Sequence, residues 1–334
     1  MTIKDIARES GYAVSTVSRA LNDHPDVSAE TKARIQAVID AHGFIPNNNA
    51  KHLKQTATKS IAIVVKGTSN MLFAPIVERM QDLIKSAGYT DVVYYLDEDS
   101  DEVRHALLLC REQKPLGLLF LGGNLSYFRE NFSRIRVPSV LVTNPGGALG
   151  FPNLSSVSTD DAAAAGRAVD YLIDRGHTKI GVIGGDVGRS YTSQLRLEGC
   201  LRSFAARGVS FEPEKQYEKA RFAYASAYRA MGRLLDRAPG LTAVFAMSDV
   251  MAVGAVRALR DRGLEVPRDL SVVGFDGVEL AEYYNPKLAT VKQSQERLAV
   301  RGVEILINSI ENGGDAVHET APFELIEGES VRTL

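Results

Sequence analysis

The stretch DIARESGYAVSTVSRALND, residues 5–23, holds two short amphipathic segments hinged at Ser10-Gly11. Just upstream, Thr2 with Asp5 three residues on has the spacing of a capping box, and Ile3, Ile6 and Ala7 repeat at helical spacing until Gly11 stops the pattern. A second helix is predicted from about Ala13 to Leu21, with Val17, Ala20 and Leu21 on its inner face and Val14, Ser15, Ser18 and Arg19 facing outward. It ends before the turn Asn22-Asp23-His24-Pro25. Ser28 has the character of a cap for a third helix that carries Ile35, Val38 and Ile39 inward and closes at Gly43. Three such helices make a domain that only just buries a core. In a helix-turn-helix the first residues of the second helix meet base edges in the major groove, where Arg binds guanine bidentately and small side chains touch thymine methyls. A helical hairpin that serves only as a docking tag is the alternative reading.

Beyond this head, Phe44-Ile45-Pro46 leads into Asn47-Asn48-Asn49-Ala50-Lys51-His52-Leu53-Lys54-Gln55, a linker with one large apolar residue, Leu53. From Ser60 the pattern changes. Short apolar runs at Ile61–Val65, Val92–Leu96, Leu118–Leu121, Val140–Val142, Ile180–Ile183, Ala243–Ala246 and Val272–Phe275 alternate with helix-length segments, which predicts βαβ units and parallel sheets covered on both faces. That many units suit two doubly wound halves better than one. In such halves ligands sit beyond the carboxyl ends of the strands, so chemistry is sought just after each run.

Composition narrows the function. The chain has 334 residues, 24% of them charged, with a formal net charge of −2, which argues against a protein that coats nucleic acid non-specifically. Positive charge is instead concentrated early. No acid occurs between Asp40 and Glu78, a window that holds Lys51, Lys54, Lys59 and Lys66; a phosphate-binding footprint and a solvated linker both fit it. The N-terminus lacks the apolar stretch of a secretion signal and no run approaches the length of a membrane span, so a cytoplasmic protein without membrane contact is expected. Cys110 and Cys200 are read as buried thiols. Catalysis finds no support: Gly184-Gly185-Asp186-Val187-Gly188 lacks the Gly-x-Gly-x-x-Gly order, no Gly-Lys-Ser/Thr or Gly-x-Ser-x-Gly occurs, and the six histidines show no metal-ligand spacing. Neither enzyme activity nor a cofactor or metal is expected.

Gly11-Tyr12-Ala13-Val14-Ser15-Thr16-Val17-Ser18-Arg19 resembles the Gly-Val-Ser-x-x-Thr-Val-Ser-Arg core of the LacI/GalR family of bacterial transcription regulators. Other segments follow in family order: Thr2–Ala7, Phe44-Ile45-Pro46-Asn47, Asp160, Arg175-Gly176-His177, Leu195-Arg196 with Gly199, Ser248-Asp249, Val273–Asp276 and Thr290–Gln293. The chain has Tyr12-Ala13 where the pattern has Val-Ser. A Val-Ser pair stands two places later, but the distance from Gly11 to Arg19 equals the family's, so the ungapped reading is kept. Ala13 then lacks the hydroxyl that caps the second helix and contacts phosphate.

The resemblance implies a small all-α helix-turn-helix head (residues 1–46), a hinge segment (47–59) and an α/β core of two doubly wound parallel-sheet subdomains of the periplasmic-binding-protein-like class (60–334). The N-subdomain is expected at about 60–159 and 291–320, and the C-subdomain at about 160–290 and 321–334. It implies DNA contacts from Val14, Ser15, Thr16, Ser18, Arg19 and Asn22, and from the hinge residues Ala50, Leu53 and Lys54, with Leu53 wedged into the minor groove. It also implies a small-molecule effector between the subdomains: Phe73 and Phe222 would sandwich a ring, Asp160, Arg196, Ser248, Asp276 and Gln293 would bond its polar groups, and Thr192 is a further candidate. The expected protein is a repressor that acts as a homodimer on double-stranded operator DNA, located with the nucleoid when bound. Because the sequence closes at Arg332-Thr333-Leu334 without a trailing leucine heptad, a dimer is expected rather than a tetramer. A sugar or sugar derivative is the expected effector, and a purine or nucleoside is the alternative. A solute-binding transport receptor would share the core but would need a secretion signal and no head.

Overall fold

A computed structural model describes residues 3–21, 24, 26–42 and 59–334, the side chains of residues 3 and 4 apart. They fall into two units, the head within residues 1–58 and the body Lys59–Leu334. The expected features at Thr2, Asn22 and Gly43, and the hinge with Ala50, Leu53 and Lys54, lie outside the described residues.

In the head, α1 (Ile3–Ser10) and α2 (Val14–Leu21) are joined through Gly11, whose φ of +78° is in the left-handed region that glycine occupies without side-chain strain. The second helix begins one residue later than expected, so Ala13 stands just before it and accepts from Val17 N at 3.0 Å. Helix α3 (Ala29–Ala41) is capped by Ser28, whose hydroxyl accepts from Thr31 N. Ile6, Ala7, Val17, Ile35 and Ile39 are buried together, and Tyr12, Ala20, Leu21 and Val38 pack at the edge of that cluster.

The body contains two six-stranded sheets. The first, in spatial order β11-β5-β4-β3-β1-β2, comprises β1 (Ser60–Lys66), β2 (Thr90–Leu96), β3 (Gly117–Leu121), β4 (Ser139–Val142), β5 (Leu154–Thr159) and β11 (His318–Ala321), all parallel. The second, β12-β10-β9-β8-β6-β7, comprises β6 (Ile180–Gly184), β7 (Tyr217–Lys219), β8 (Ala243–Ala246), β9 (Ser271–Asp276), β10 (Ala289–Gln293) and β12 (Phe323–Ile326). Here only β12 runs antiparallel to its neighbour. Each expected apolar run is a strand. Central strands such as β1 and β3 read as unbroken apolar runs because helices cover both of their faces.

The chain passes between lobes after β5, after β10 and between β11 and β12. The expected boundary at 290/291 is therefore corrected. β10 pairs with β9 over Ala289–Lys292 and with β12 as far as Gln293, both in the second sheet, which moves this crossing to Ser294. Cys200 is buried, whereas Cys110 is only half-buried, because it closes the helix Glu102–Glu112 at the margin of an apolar cluster. Among the described residues no helix is long and apolar enough to cross a membrane.

One close approach positions the site. After the helices α4 (Phe73–Ser86), α5 (Glu102–Glu112) and α6 (Leu125–Asn131) of the first lobe, α7 (Asp161–Ile173) lies against α8 (Tyr191–Ala206), and a Cβ on Gly199 would stand 2.0 Å from the Ala162 carbonyl oxygen. Only glycine permits that contact, which brings Asp161 at the start of α7 to Arg196 on α8.

Candidate effector cleft and DNA-reading helix

In both sheets strand order reverses beside the first strand of the lobe, between β1 and β3 and between β6 and β8. Beyond the carboxyl ends of these strands lies a cleft of ≈ 380 Å³, within the range of small-molecule sites. Its first wall is made by the loops after β1, β2, β3 and β4, and its second by those after β6 and β7.

Four of the residues expected to hold an effector line this cleft: Phe73, Thr192, Arg196 and Phe222. Phe73 is nearly buried, because its ring packs where a Cβ on Gly122 would be 3.3 Å away. Phe222 is half-buried on the opposite lobe. Arg196 is 4% exposed. Its Nε donates to Asp161 Oδ1 at 2.7 Å, its Nη1 donates to the Met247 carbonyl at 2.5 Å, and its guanidinium lies over the Phe275 ring.

The other four sit elsewhere. Asp160 caps α7 by accepting from Ala163 N and faces an outer groove with Arg167 and Phe323; its neighbour Asp161 is the carboxylate turned toward Arg196. Ser248 is buried as the cap of the helix Asp249–Asp261. Asp276, at φ +108°, accepts from Gln293 Nε2 at 2.8 Å, and Gln293 Oε1 accepts from Thr159 Oγ1 at 2.7 Å. Asp276, Gln293 and Thr159 thus join the two sheets behind the cleft wall. Burial pushes the Asp276 carboxyl up to about 7 against the pull of Arg196. Nearby Asp249 accepts from Thr290 Oγ1 and Val278 N, and burial together with the charge of Asp276 pushes it up to about 8.

The structure adds residues that sequence reasoning missed. Thr143, at φ +78°, and Asn144 follow β4, and Asn144 Nδ2 donates across the cleft to Thr192 Oγ1 at 3.1 Å. Lys66, at the end of β1, pairs with buried Glu102 at 2.5 Å and lies over the Tyr127 ring. Arg221, just after β7, reaches Asp97 and Glu98, just after β2. Lys66, Asp97 and Asn144 all follow apolar runs, so a search just beyond each strand end would have found them. Their partners, far away in sequence, leave no such signal.

In the head, Val14, Ser15 and Arg19 are exposed on α2, while Thr16 and Ser18 are half-buried beside Val17. This is the face a helix offers to a groove. Arg19 Nη1 pairs with Asp26 Oδ2 at 3.0 Å, an exposed bond that leaves the guanidinium at the surface.

Comparison with known proteins agrees with both units. Residues 2–47 match the family "Bacterial regulatory proteins, lacI family", and residues 169–331 match "Periplasmic binding protein-like domain". The chain is 37% identical over 333 residues to the HTH-type transcriptional regulator MalR of Clostridium butyricum, with 99% of each chain covered. It is 30% identical over 340 residues to the HTH-type transcriptional repressor PurR of Haemophilus influenzae, covering 100% of this chain and 99% of that one. Among solved structures, the complex of the transcriptional regulator CelR with cellobiose superposes with a TM-score of 0.72 at 28% identity over 99% of each chain. The lac repressor dimer bound to operator and an anti-inducer shares the fold, with a TM-score of 0.71 at 22% identity over 99% of each chain.

Proposed function

The chain belongs to the LacI family of bacterial transcriptional regulators and carries that family's DNA-binding helix-turn-helix, and from this premise we propose that it is a repressor controlled by an uncharged sugar held between the lobes of its body. On operator DNA, Val14 and Ser15 touch base edges, Arg19 binds guanine, and Thr16 and Ser18 approach the backbone. Asn22, Ala50 and Lys54 add contacts, and Leu53 wedges a base step. Two chains pair as a homodimer on a pseudo-palindrome, the assembly named for the lac repressor relative. The protein works in the cytoplasm, associated with the nucleoid when bound.

The observation that carries the sugar reading is the charge balance of the cleft. Lys66 is paired with Glu102, Arg196 with Asp161, Arg221 with Asp97 and Glu98, and Arg189 stands 3.7 Å from Asp99. Apart from Arg229, which lines the cleft without an ion pair among the described residues, a ligand meets charges that are already paired, together with hydroxyl and amide groups from Thr192, Asn144, Ser190 and Asn70. That inventory matches a polyol. Phe73 offers little open ring face for a stacked base, which weighs against the purine reading, whereas Phe222 packs against either a sugar ring or a base. The CelR relative is recorded with a disaccharide. Asp276 and Gln293 join the lobes behind the cleft, while Asp160 and Ser248 cap helices of the second lobe.

Fluorescence anisotropy on an operator chosen by in vitro selection tests this. Titration with a disaccharide panel that includes cellobiose, and with purine bases and nucleosides, should change operator affinity for a sugar alone. The sign of that change separates inducer from co-repressor. A response to purines and to no sugar would overturn the reading.

A further inference from the structure

At the mouth of the cleft, the loop after β2 and the loop after β7 approach from opposite lobes. Arg221 Nη2 donates to both oxygens of Asp97 at 2.7 and 2.8 Å, and its Nε donates to Glu98 Oε1 at 2.6 Å. This is fork-like, charge-assisted geometry. A third acid joins: Asp99 lies 3.8 Å from Arg221 and 3.7 Å from Arg189, which stands on the loop after β6. Close by, Tyr224 Oη donates to Met71 Sδ at 2.9 Å, again from lobe to lobe.

Resting on the reading of this cleft as the effector site, we propose that Asp97, Glu98 and Arg221 form a strap across its mouth that draws the lobes together. Three consecutive acids on one lobe meet two arginines on the other, so the attraction is long-lived as a set even where each exposed pair is weak. Side chains that are partly exposed are screened by salt, so strap closure depends on ionic strength. Effector entry then requires the strap to part, and charged ligands have to compete with it.

The test uses the full chain with Cys110→Ser and nitroxides at Arg129→Cys on the first lobe and Glu214→Cys on the second, read by pulsed dipolar spectroscopy. Raising salt from about 0.05 M to about 1 M, where the Debye length falls to about 3 Å, should lengthen and broaden the interlobe distance. Arg221→Gln should give the long, broad distribution at both salt concentrations. Arg221→Lys, which keeps the charge but loses the fork, should fall between, and Asp97→Asn with Glu98→Gln should reproduce Arg221→Gln. A distance identical in the parent and Arg221→Gln at both salt concentrations would overturn the strap. Because no ligand enters this measurement, that result leaves the sugar reading standing, and failure of the sugar titration leaves the strap standing.

Discussion

The head and the body solve opposite problems. Among the described residues the head buries six apolar side chains, five of them in one cluster, and puts its polar groups outside, on the exposed face of α2. The body has large apolar clusters on its sheets and places charge inside, where Asp161, Arg196, Asp249 and Asp276 are all nearly inaccessible. A three-helix unit of this size has no reserve of buried area with which to hold an ion pair. A two-sheet body does, and its buried charges are where the lobes can be coupled. The contrast teaches that the stability of each unit is limited by different residues, and each can be broken without the other.

The largest effect is expected from Arg196→Ala. It leaves Asp161 in the interior without its cation, a loss of about 3–5 kcal/mol from the body in urea unfolding. Arg196→Met with Asp161→Asn should recover much of that, because both charges leave together. Full stability for Arg196→Ala would mean that the pair is not buried as described.

Ile35→Ala strikes the other unit. Ile35 is 1% exposed in a five-residue core, and a cavity there costs about 2–5 kcal/mol, enough to unfold the head. Operator binding should vanish while the melting transition of the body is unchanged. A shift in the body's transition would show that the two units do not unfold independently.

The third prediction concerns pH. Unfolded aspartates release their protons near pH 4, whereas burial raises Asp276 to about 7 and Asp249 to about 8. Between those limits the folded body holds protons that the unfolded chain has lost, so stability falls as pH rises from about 4 through 8. Each unit of raised pKa is worth about 1.4 kcal/mol, and the two carboxyls titrate as a coupled pair. The body's melting temperature should drop by at least about 3 °C between pH 5 and 8, and Asp249→Asn should flatten that slope. A steeper slope in the variant would refute the assignment.

How much of this was legible in the sequence follows the same divide between buried and exposed. Six of the seven strands read from the sequence are buried apolar runs because helices cover both faces, while the edge strand β2 was legible from Val92–Leu96 although it is partly exposed. Strand β5, Leu-Ser-Ser-Val-Ser-Thr, was not legible, because its serines are satisfied inside: Ser156 Oγ accepts from Gly146 N, and Ser155 Oγ accepts from Val317 N. Strands β7, β11 and β12 are short and lie at sheet edges, where periodicity is too brief to register, and β10 was read only as a motif. Fold order identified Arg196 and Phe222 as cleft residues, but it gave Asp160 the role of a ligand contact, while the carboxylate turned inward is Asp161, one residue on. The Arg221 cluster joins residues about 120 positions apart, and no local pattern encodes that pairing.

The smallest expected effect returns to the head and sharpens its half of the comparison. Helix α2 begins at Val14, directly after an exposed Ala13, and has no acid in its first turn, so its leading N–H groups lack a side-chain acceptor from either source. Ser at position 13 would supply that acceptor, and a cap of this kind is worth about 1 kcal/mol. In a unit with so little buried surface, that increment raises the folded fraction, so Ala13→Ser should slow amide exchange across α2. In the proposed docking of α2 the same hydroxyl reaches the DNA backbone, so operator affinity should rise by up to roughly tenfold, the equivalent of about 1.4 kcal/mol. Slower exchange with unchanged affinity would make residue 13 a helix cap only. No change in either would mean that position 13 neither caps α2 nor touches DNA.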